Sequence, residues 1–338
     1  MLAKFPPPQL YAPREIGGKI PPMGTPQQVV FITIEVRTEA SREKLAPALR
    51  QLLSEDPTFG IDGDVQTGQA VVRGVSELQL EMIVDRLQRE FNIELTAGNP
   101  QVAYKETLTR TAEGEGRYVR QTGSRDHYAH AKIRLVLGSA GSGCVLNSQS
   151  IGELIPKEFI SSIEEGIKEA LIRGVLAGYR VDDVRIELSG GSYHEVDSSA
   201  IAFKIAGAEA FQDAAKKAKP VLLEPIMAVE VAVPEELMGD VVGDLALRRA
   251  HVKGMERRDT KQVIKSSVPL AEMLGYAHNL HSRTQGHATC SMFFDRYEPV
   301  PSDPQSDDED RMAPVVVPRT PRPRSKNSGV ALPEPECQ

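Results

Sequence analysis

The sequence predicts an α+β protein in which two units of one small βαββαβ fold flank a different α/β unit. Three observations support this fold class. Near the N-terminus, the spacing of apolar residues changes between that of strands and that of helices in the order βαββαβ. The same order returns near the C-terminus. The segment between them follows another pattern. The chain has 338 residues, 40% of them hydrophobic, which suits two or three domains.

The first unit is expected over residues 28–102. VVFITIEVRT (29–38) alternates as a strand with one buried face does, and Ser41 can cap a helix that carries a stripe of leucines. Two short extended segments follow. A second helix begins near Ser76 with apolar residues at helical spacing, and NIELTAG (92–98) closes the unit as a strand.

The middle unit is expected over residues 103–217. Four strand-like segments, the first of them YKETLTR (104–110), precede a long helix from about Pro156 to Leu176. VDDVRIELSGG (181–191) is a further strand, and a last helix runs through Lys217, with Asp197 or Ser198 as its N-cap. The segment SGGSYHEVDSS (189–199) therefore lies at a strand-to-helix corner, where functional loops are common.

The third unit is expected over residues 218–299 as strand, helix, hairpin, helix and strand. Its first helix, PEELMGDVVGDLALRR, begins with proline, which suits a first helical turn. Residues 1–27 and 300–338 are rich in proline, glycine and charge, which predicts a disordered leader and a disordered tail.

Composition excludes several classes of protein. The formal net charge is -7, so any RNA contact must come from local patches. We expect no membrane span and no secretory signal, because no apolar run is long enough. Three scattered cysteines, Cys144, Cys290 and Cys337, predict reduced thiols and a cytoplasmic location.

Seven segments carry a resemblance to a known family. In chain order they are EDPTF, SELQLEMIVDRLQREF, NPQVAYKET, SGGSYHEVDSSAIAFKIAG, KKAKPVLLEPIMAVEVAVPEE, MGDVVGDLALRR and VPLAEMLGYAHNLHSRTQG. Together they resemble domains III–V of translation elongation factor G, over roughly residues 29–299. The resemblance implies two ferredoxin-like domains around a ribosomal-protein-S5-domain-2-like domain, which agrees with the pattern above.

The resemblance implies a ribosome-binding protein whose middle domain contacts the 16S decoding region, transfer RNA and messenger RNA through two tip loops. The residues expected there are Tyr193, His194, Glu195 and Asp197 in one loop, and Arg120, Gln121, Arg125, His127 and Tyr128 in the other. Aromatic rings and imidazoles can stack on bases, and arginines can bind phosphates. Residue chemistry alone leaves an alternative open, in which His194 fills a turn. The resemblance favours RNA contact for Tyr193 and His194, and helix capping for Asp197.

The second tip loop departs from the glycine-rich loop of the family. Gly123 is the single glycine left in the tip, and Asp126 would repel phosphate. We therefore expect a different backbone path and altered translocation activity.

The resemblance also implies contact of the third domain with the sarcin-ricin loop of 23S RNA. The residues expected there are His281, Ser282, Arg283, Gln285 and His287. The family has arginines where this chain has His281 and His287, and neutral histidine lacks both the fixed charge and the guanidinium fork. We therefore expect weaker RNA binding at this loop, increasing as histidine becomes protonated at lower pH.

The histidines leave a zinc-binding module open as a different class of function. Their spacing allows two sets of ligands, namely His278, His281, His287 and Cys290, or His127, His130 and His194. A solvated helix face and a small core cysteine explain the same residues, so we assign no metal site.

The chain contains no G-x-x-x-x-G-K-[ST] motif, and GGK at 17–19 lacks the rest of that pattern. We therefore expect no GTPase activity, no other enzymatic activity and no cofactor. Three interpretations stay open: a translation factor-like module, a split or degenerate factor fragment that needs a separate GTPase subunit, and a ribosome-occluding regulator.

Overall fold

The computed structural model describes residues 27–62, 69–122, 125–147 and 155–301, with side chains up to residue 120 in the second range and from residue 127 in the third. The described residues up to Pro299 belong to one compact unit. Within the described residues, no helix is both long and apolar enough to cross a bilayer.

The first domain is an antiparallel sheet covered by two helices. Its elements are β1 (Val30–Val36), α1 (Glu39–Glu55), β2 (Gly60–Asp62), β3 (Gln69–Gly74), α2 (Glu77–Arg89), β4 (Leu95–Ala97) and β5 (Gln101–Val102). The sheet order is β2-β3-β1-β4, and β5 also pairs with β1. The alternating side chains of β1 are buried at Val30, Ile32, Ile34 and Val36, as the sequence predicts. This βαββαβ domain confirms the ferredoxin-like prediction.

The two helices of this domain begin differently. Ser76 caps α2 as predicted, with its hydroxyl accepting a hydrogen bond from the Gln79 amide at 3.3 Å. The N-cap of α1 is Thr38 and not Ser41. Ser41 lies inside the helix, buried, and its hydroxyl accepts a hydrogen bond from the Glu94 amide at 3.2 Å. It therefore joins α1 to the segment before β4.

The middle domain packs two helices on a mixed sheet. Its elements follow a short strand, β6 (Lys105–Leu108), and are β7 (Ala112–Thr122), β8 (Arg125–Leu137), β9 (Cys144–Asn147), α3 (Lys157–Arg173), β10 (Val184–Ser192) and α4 (Ala200–Lys217). The sheet order is β7-β8-β10-β9, with β9 and β10 parallel. Gly116 lets α4 lie close to β7, because a Cβ there would stand 2.0 Å from the Ala206 carbonyl oxygen.

The third domain repeats the topology of the first. Its elements are β11 (Pro220–Pro234), α5 (Met238–Leu247), β12 (His251–Arg258), β13 (Lys261–Pro269), α6 (Tyr276–Arg283) and β14 (Thr289–Pro299). The sheet order is β12-β13-β11-β14. Buried side chains of the first and third domains form one continuous apolar cluster, whereas the middle domain has a cluster of its own.

Strand β6 joins the middle and third domains. The sequence assigns it to the middle unit, yet it pairs with residues 220–223 of β11, in the sheet of the third domain. Next to it, Lys105 forms an ion pair with Asp182 at 2.7 Å, in the loop before β10. The segment near residue 105 therefore contacts both domains.

Glu106 of β6 is fully buried and lies at the centre of this junction. Its carboxylate accepts hydrogen bonds from the five consecutive amides of residues 175–179, at 2.6 to 3.1 Å. Gly174 ends α3 with a φ of 71°, and this left-handed turn leads into those amides. A buried carboxylate is stable when it is hydrogen-bonded in this way.

We expect the Glu106→Gln substitution to lower the free energy of unfolding by about 2–4 kcal/mol, because the new NH₂ group would face backbone N–H donors that then lack an acceptor. Urea unfolding followed by far-UV circular dichroism measures this loss. The matched control is Glu113→Gln on β7, where the side chain is 73% exposed and a change within about 0.5 kcal/mol is expected. Equal unfolding midpoints for the two variants would contradict the role of Glu106.

Candidate nucleic-acid interface

The loop between β10 and α4 presents an exposed aromatic ring and an exposed imidazole. β10 ends at Ser192, and the side chains that follow point into solvent: Tyr193 is 42% exposed, and Glu195 is exposed as well. The His194 side chain is 59% exposed. The predicted pair of contact residues is therefore accessible to a ligand.

The backbone of this loop is held by β8 through Tyr128. The Tyr128 amide donates to the Asp197 carbonyl oxygen at 2.9 Å, and the Tyr128 hydroxyl lies 2.8 Å from the Ser192 hydroxyl. Ser198 donates to the Tyr128 carbonyl oxygen and accepts from the His194 amide, both at 2.9 Å. The loop is thus supported without the side chain of Tyr193.

Asp197 orients His194 and does not cap α4. Its carboxylate lies 2.9 Å from Nδ1 of His194, which leaves Nε2 on the far side of the ring. The N-cap of α4 is Ser199, whose hydroxyl accepts a hydrogen bond from the Ala202 amide at 3.3 Å. The capping role predicted for Asp197 or Ser198 is therefore wrong, because Ser198 is used to hold the loop and Asp197 to hold the imidazole.

The second tip loop is the turn of the β7–β8 hairpin. Arg120 lies opposite His127 in the register, with Arg120 exposed and His127 half-buried. The side chains of Gln121 and Arg125, and residues 123–124, lie outside the described residues. Because Tyr128 directly follows His127, β8 brings the two predicted tip loops together.

Arg117 is a basic residue near the tip that no sequence pattern indicates. Its guanidinium lies 5.9 Å from the centroid of the Tyr128 ring, at the outer range of a cation–π contact. Arg117 and Arg120 are three residues apart on β7, so strand alternation puts them on opposite faces and does not link Arg117 to the tip. Only the register with β8 places Arg117 near Tyr128.

In the third domain, the predicted contact residues occupy the last turn of α6 and the loop that follows it. Gln285 and Gly286 have φ values of 51° and 81°, and the Gly286 amide donates to the His281 carbonyl oxygen at 2.9 Å. Thr284 is buried, and its hydroxyl donates to the Leu280 carbonyl oxygen at 2.7 Å. This turn leaves five side chains exposed, namely His281, Ser282, Arg283, Gln285 and His287.

Neighbouring charges reach this loop from two sides. Arg283 forms an ion pair with Asp244 of α5, which also pairs with Arg248 at 3.0 Å. Lys261 on β13, which no sequence pattern indicates, donates from Nζ to the His287 carbonyl oxygen at 2.9 Å. The guanidinium of Arg283 is therefore partly neutralised, whereas Lys261 adds positive charge.

The structure does not support the zinc-binding alternative. Among the described residues, no three His, Cys, Asp or Glu side chains come together in a way that could hold a metal ion. The Nδ1 atom of His130 lies 3.2 Å from the Ser192 hydroxyl, and its Nε2 atom lies 3.6 Å from the Glu115 carboxylate. Burial raises the pKa of the Cys290 thiol to about 11, which favours the neutral thiol over a metal-binding thiolate.

Three family models match the chain one after another. The model for elongation factor G domain III matches residues 25–99, and that for elongation factor G domain IV matches residues 100–219. The model for the elongation factor G C-terminus matches residues 221–308. These three ranges follow the order of the three folded domains.

A solved structure is similar to most of this chain. The crystal structure of a protein from Thermus thermophilus is similar to this chain, with a TM-score of 0.60 and 37% sequence identity. The match covers 84% of this chain and 43% of that chain, so this chain spans less than half of its relative's length. The matches and the βαββαβ topology of the outer domains lead to one conclusion. The chain belongs to the elongation factor G family, of which it carries domains III, IV and the C-terminal domain V.

Proposed function

We propose that the chain is a ribosome-binding translation factor-like protein. In this proposal the domain IV tip contacts 16S decoding-region RNA together with transfer RNA and messenger RNA, and the loop after α6 contacts the sarcin-ricin loop of 23S RNA. Its action is binding, without a nucleotide cofactor or a catalytic step in domains III–V. The observation that carries the proposal is the exposed Tyr193–His194 pair on a loop held by β8.

The geometry of the tip suits recognition of bases in an RNA strand. A tyrosine ring and an imidazole offer stacking surfaces that accept any base, and Nε2 of His194 can also bond to a sugar or phosphate oxygen. Because Asp197 and Ser198 already hold the loop, little conformational entropy is lost when RNA binds. The tip is therefore arranged for contact before the ligand arrives.

A separate GTPase partner is a second proposal, carried by an apolar surface on domain III. Leu78 and Met82 of α2 are 65% and 57% exposed, beside a groove that Leu52 and Phe59 also line. Exposed apolar side chains next to such a groove favour a protein partner over RNA. Sedimentation with ribosomes, with and without a separately expressed elongation factor G GTPase domain, tests this proposal; unchanged binding would contradict it.

Sedimentation of the purified chain with 70S ribosomes tests the main proposal. We expect co-sedimentation at about 50 mM salt that weakens strongly by about 200 mM, since phosphate contacts release counterions. An excess of full-length elongation factor G should displace the chain, because both would occupy one site. Binding that resists both salt and this competitor would contradict the proposed interface.

We expect His194→Ala to weaken ribosome binding about tenfold, the loss of one stacking contact, and to change the free energy of unfolding by less than about 0.5 kcal/mol. The contact with Asp197 that it removes lies at the surface, with the His194 side chain 59% exposed, so its loss changes stability little. Binding is measured by sedimentation and stability by thermal unfolding. His251→Ala, at an exposed position on β12, is the matched control. A large loss of stability in the His194 variant would mean that His194 fills a turn.

We expect His281→Arg to strengthen ribosome binding and to steepen its dependence on salt, because arginine adds a fixed charge and a fork of donors for phosphate. The matched control is His278→Arg, a position one turn earlier on α6 that is also exposed. Sedimentation over a salt series measures both effects. Equal gains in the two variants would show a general effect of charge and no defined contact at His281.

A further inference from the structure

The face of the domain IV sheet opposite α4 carries a group of side chains beside the tip. In the β7–β8 register, Val119 lies opposite Tyr128, and Arg117 lies opposite His130. Because directly opposite residues of an antiparallel pair share a face, and alternate residues of a strand do so too, these four side chains lie on one face. Ala129, between Tyr128 and His130, points to the other face, where it is fully buried in the domain IV core.

Two of these side chains form a small apolar surface that is open to solvent. Val119 is 56% exposed, and Tyr128, which faces it across the two strands, is half-buried. An aromatic ring gives a nucleobase a stacking partner, and every base has a π face that suits it. This surface can therefore receive a base of any type.

The Tyr128 ring is held by the strand that leads to the tip loop. Its hydroxyl lies 2.8 Å from the Ser192 hydroxyl, which in turn lies 3.2 Å from Nδ1 of His130. The Tyr128 backbone also bonds to Asp197 and Ser198 in the loop itself. A ring that is fixed before a ligand arrives loses little conformational entropy on binding. The apolar surface is thus continuous with the tip loop and is preorganised in the same way.

The charge of Arg117 is available to an external anion. Its guanidinium lies 5.9 Å from the centroid of the Tyr128 ring, so it stands beside the apolar surface. Glu115, two residues earlier on the same face, is paired with Lys132 at 3.4 Å and lies 3.6 Å from Nε2 of His130. Among the side chains that the structure describes, no carboxylate forms an ion pair with Arg117, which is exposed. Arg117 therefore supplies local positive charge on a chain whose formal net charge is -7.

We propose that Arg117, Val119 and Tyr128 form a nucleotide-binding platform for single-stranded RNA on the open face of the domain IV sheet. The base stacks on the Tyr128 ring against Val119, and the Arg117 guanidinium binds the neighbouring phosphate through two N–H donors. A base in a duplex is already stacked, so the platform suits an unpaired segment. The inference rests on the proposed ribosome binding and deepens it, because it adds a nucleotide contact on the sheet to the contacts of the tip loops.

The first test compares Arg117→Ala with Arg134→Ala in the full chain, by sedimentation with 70S ribosomes over a salt series. Arg134 lies on the same face of the sheet, farther along β8 from the tip, and its partner is Glu113 at 3.9 Å. Both variants remove one positive charge from one face, so a general effect of charge is equal in both. We expect Arg117→Ala to lower the slope of log affinity against log salt by about 0.7, which weakens binding about eightfold at about 50 mM salt and about threefold at about 200 mM. Arg134→Ala should stay within about twofold of the parent protein.

The second test compares Tyr128→Leu with Tyr128→Phe in the same assay. Both variants lose the hydroxyl that contacts Ser192 and keep the backbone bonds to the tip loop, whereas only phenylalanine keeps the aromatic ring. We expect Tyr128→Leu to bind about tenfold more weakly than Tyr128→Phe, the loss of one stacked base. Thermal unfolding checks that both variants keep the fold, and the Arg117 comparison decides alone if either does not.

Each other outcome overturns the inference in a recognisable way. Equal binding by the Arg117 and Arg134 variants, or by the two Tyr128 variants, would refute the platform and leave the proposed function intact, provided that the parent protein binds normally. A loss for Arg117→Ala with an unchanged salt slope would show that this surface contacts a ribosomal protein and not a phosphate. Failure of the parent protein to bind at any salt would refute both this inference and the function on which it rests.

Discussion

The carboxylate of Glu106 is the interaction on which the connection between domains IV and V depends. It is fully buried, and it is stable there because five consecutive amides donate to it. Those amides follow the end of α3 in domain IV, whereas the strand that carries Glu106 pairs with β11 in domain V. The side chain of Glu106 therefore connects α3 of domain IV to the sheet of domain V. Domain IV is the domain that carries the proposed RNA-contacting tip.

The domain IV tip follows a related principle on a smaller scale. The loop is held by backbone groups and by the side-chain hydroxyls of Tyr128, Ser192 and Ser198. The side chains of Tyr193 and His194 therefore do not have to be buried to hold it. Bonds of this kind keep a loop in one conformation without burying the residues that face solvent. The backbone at Tyr193 and His194 is consequently held in place while both side chains stay exposed. Recognition of single-stranded RNA requires such side chains.

Strand alternation and helical spacing were sufficient to predict the fold class of the three units, because burial on one face imposes a period on the sequence. The same patterns could not show that Glu106 binds a loop 71 residues away. The spacing of apolar residues predicts local structure, but it does not indicate which distant residue a side chain contacts. The cap of α4 was misplaced for a similar reason. Several adjacent polar positions could each have capped the helix, and only the contacts with Tyr128 and His194 decide that Ser199 does so.

The shared core of domains III and V has a consequence for the order in which the chain can be completed during synthesis. That cluster runs from Val29 to Ala288, and the Gly275 amide also donates to Glu77, 198 residues away. The domain IV cluster, in contrast, needs only residues between Leu108 and Ala218. A chain that emerges from its N-terminus can therefore close the domain IV core before it completes the contacts between domains III and V, which need residues that are made last.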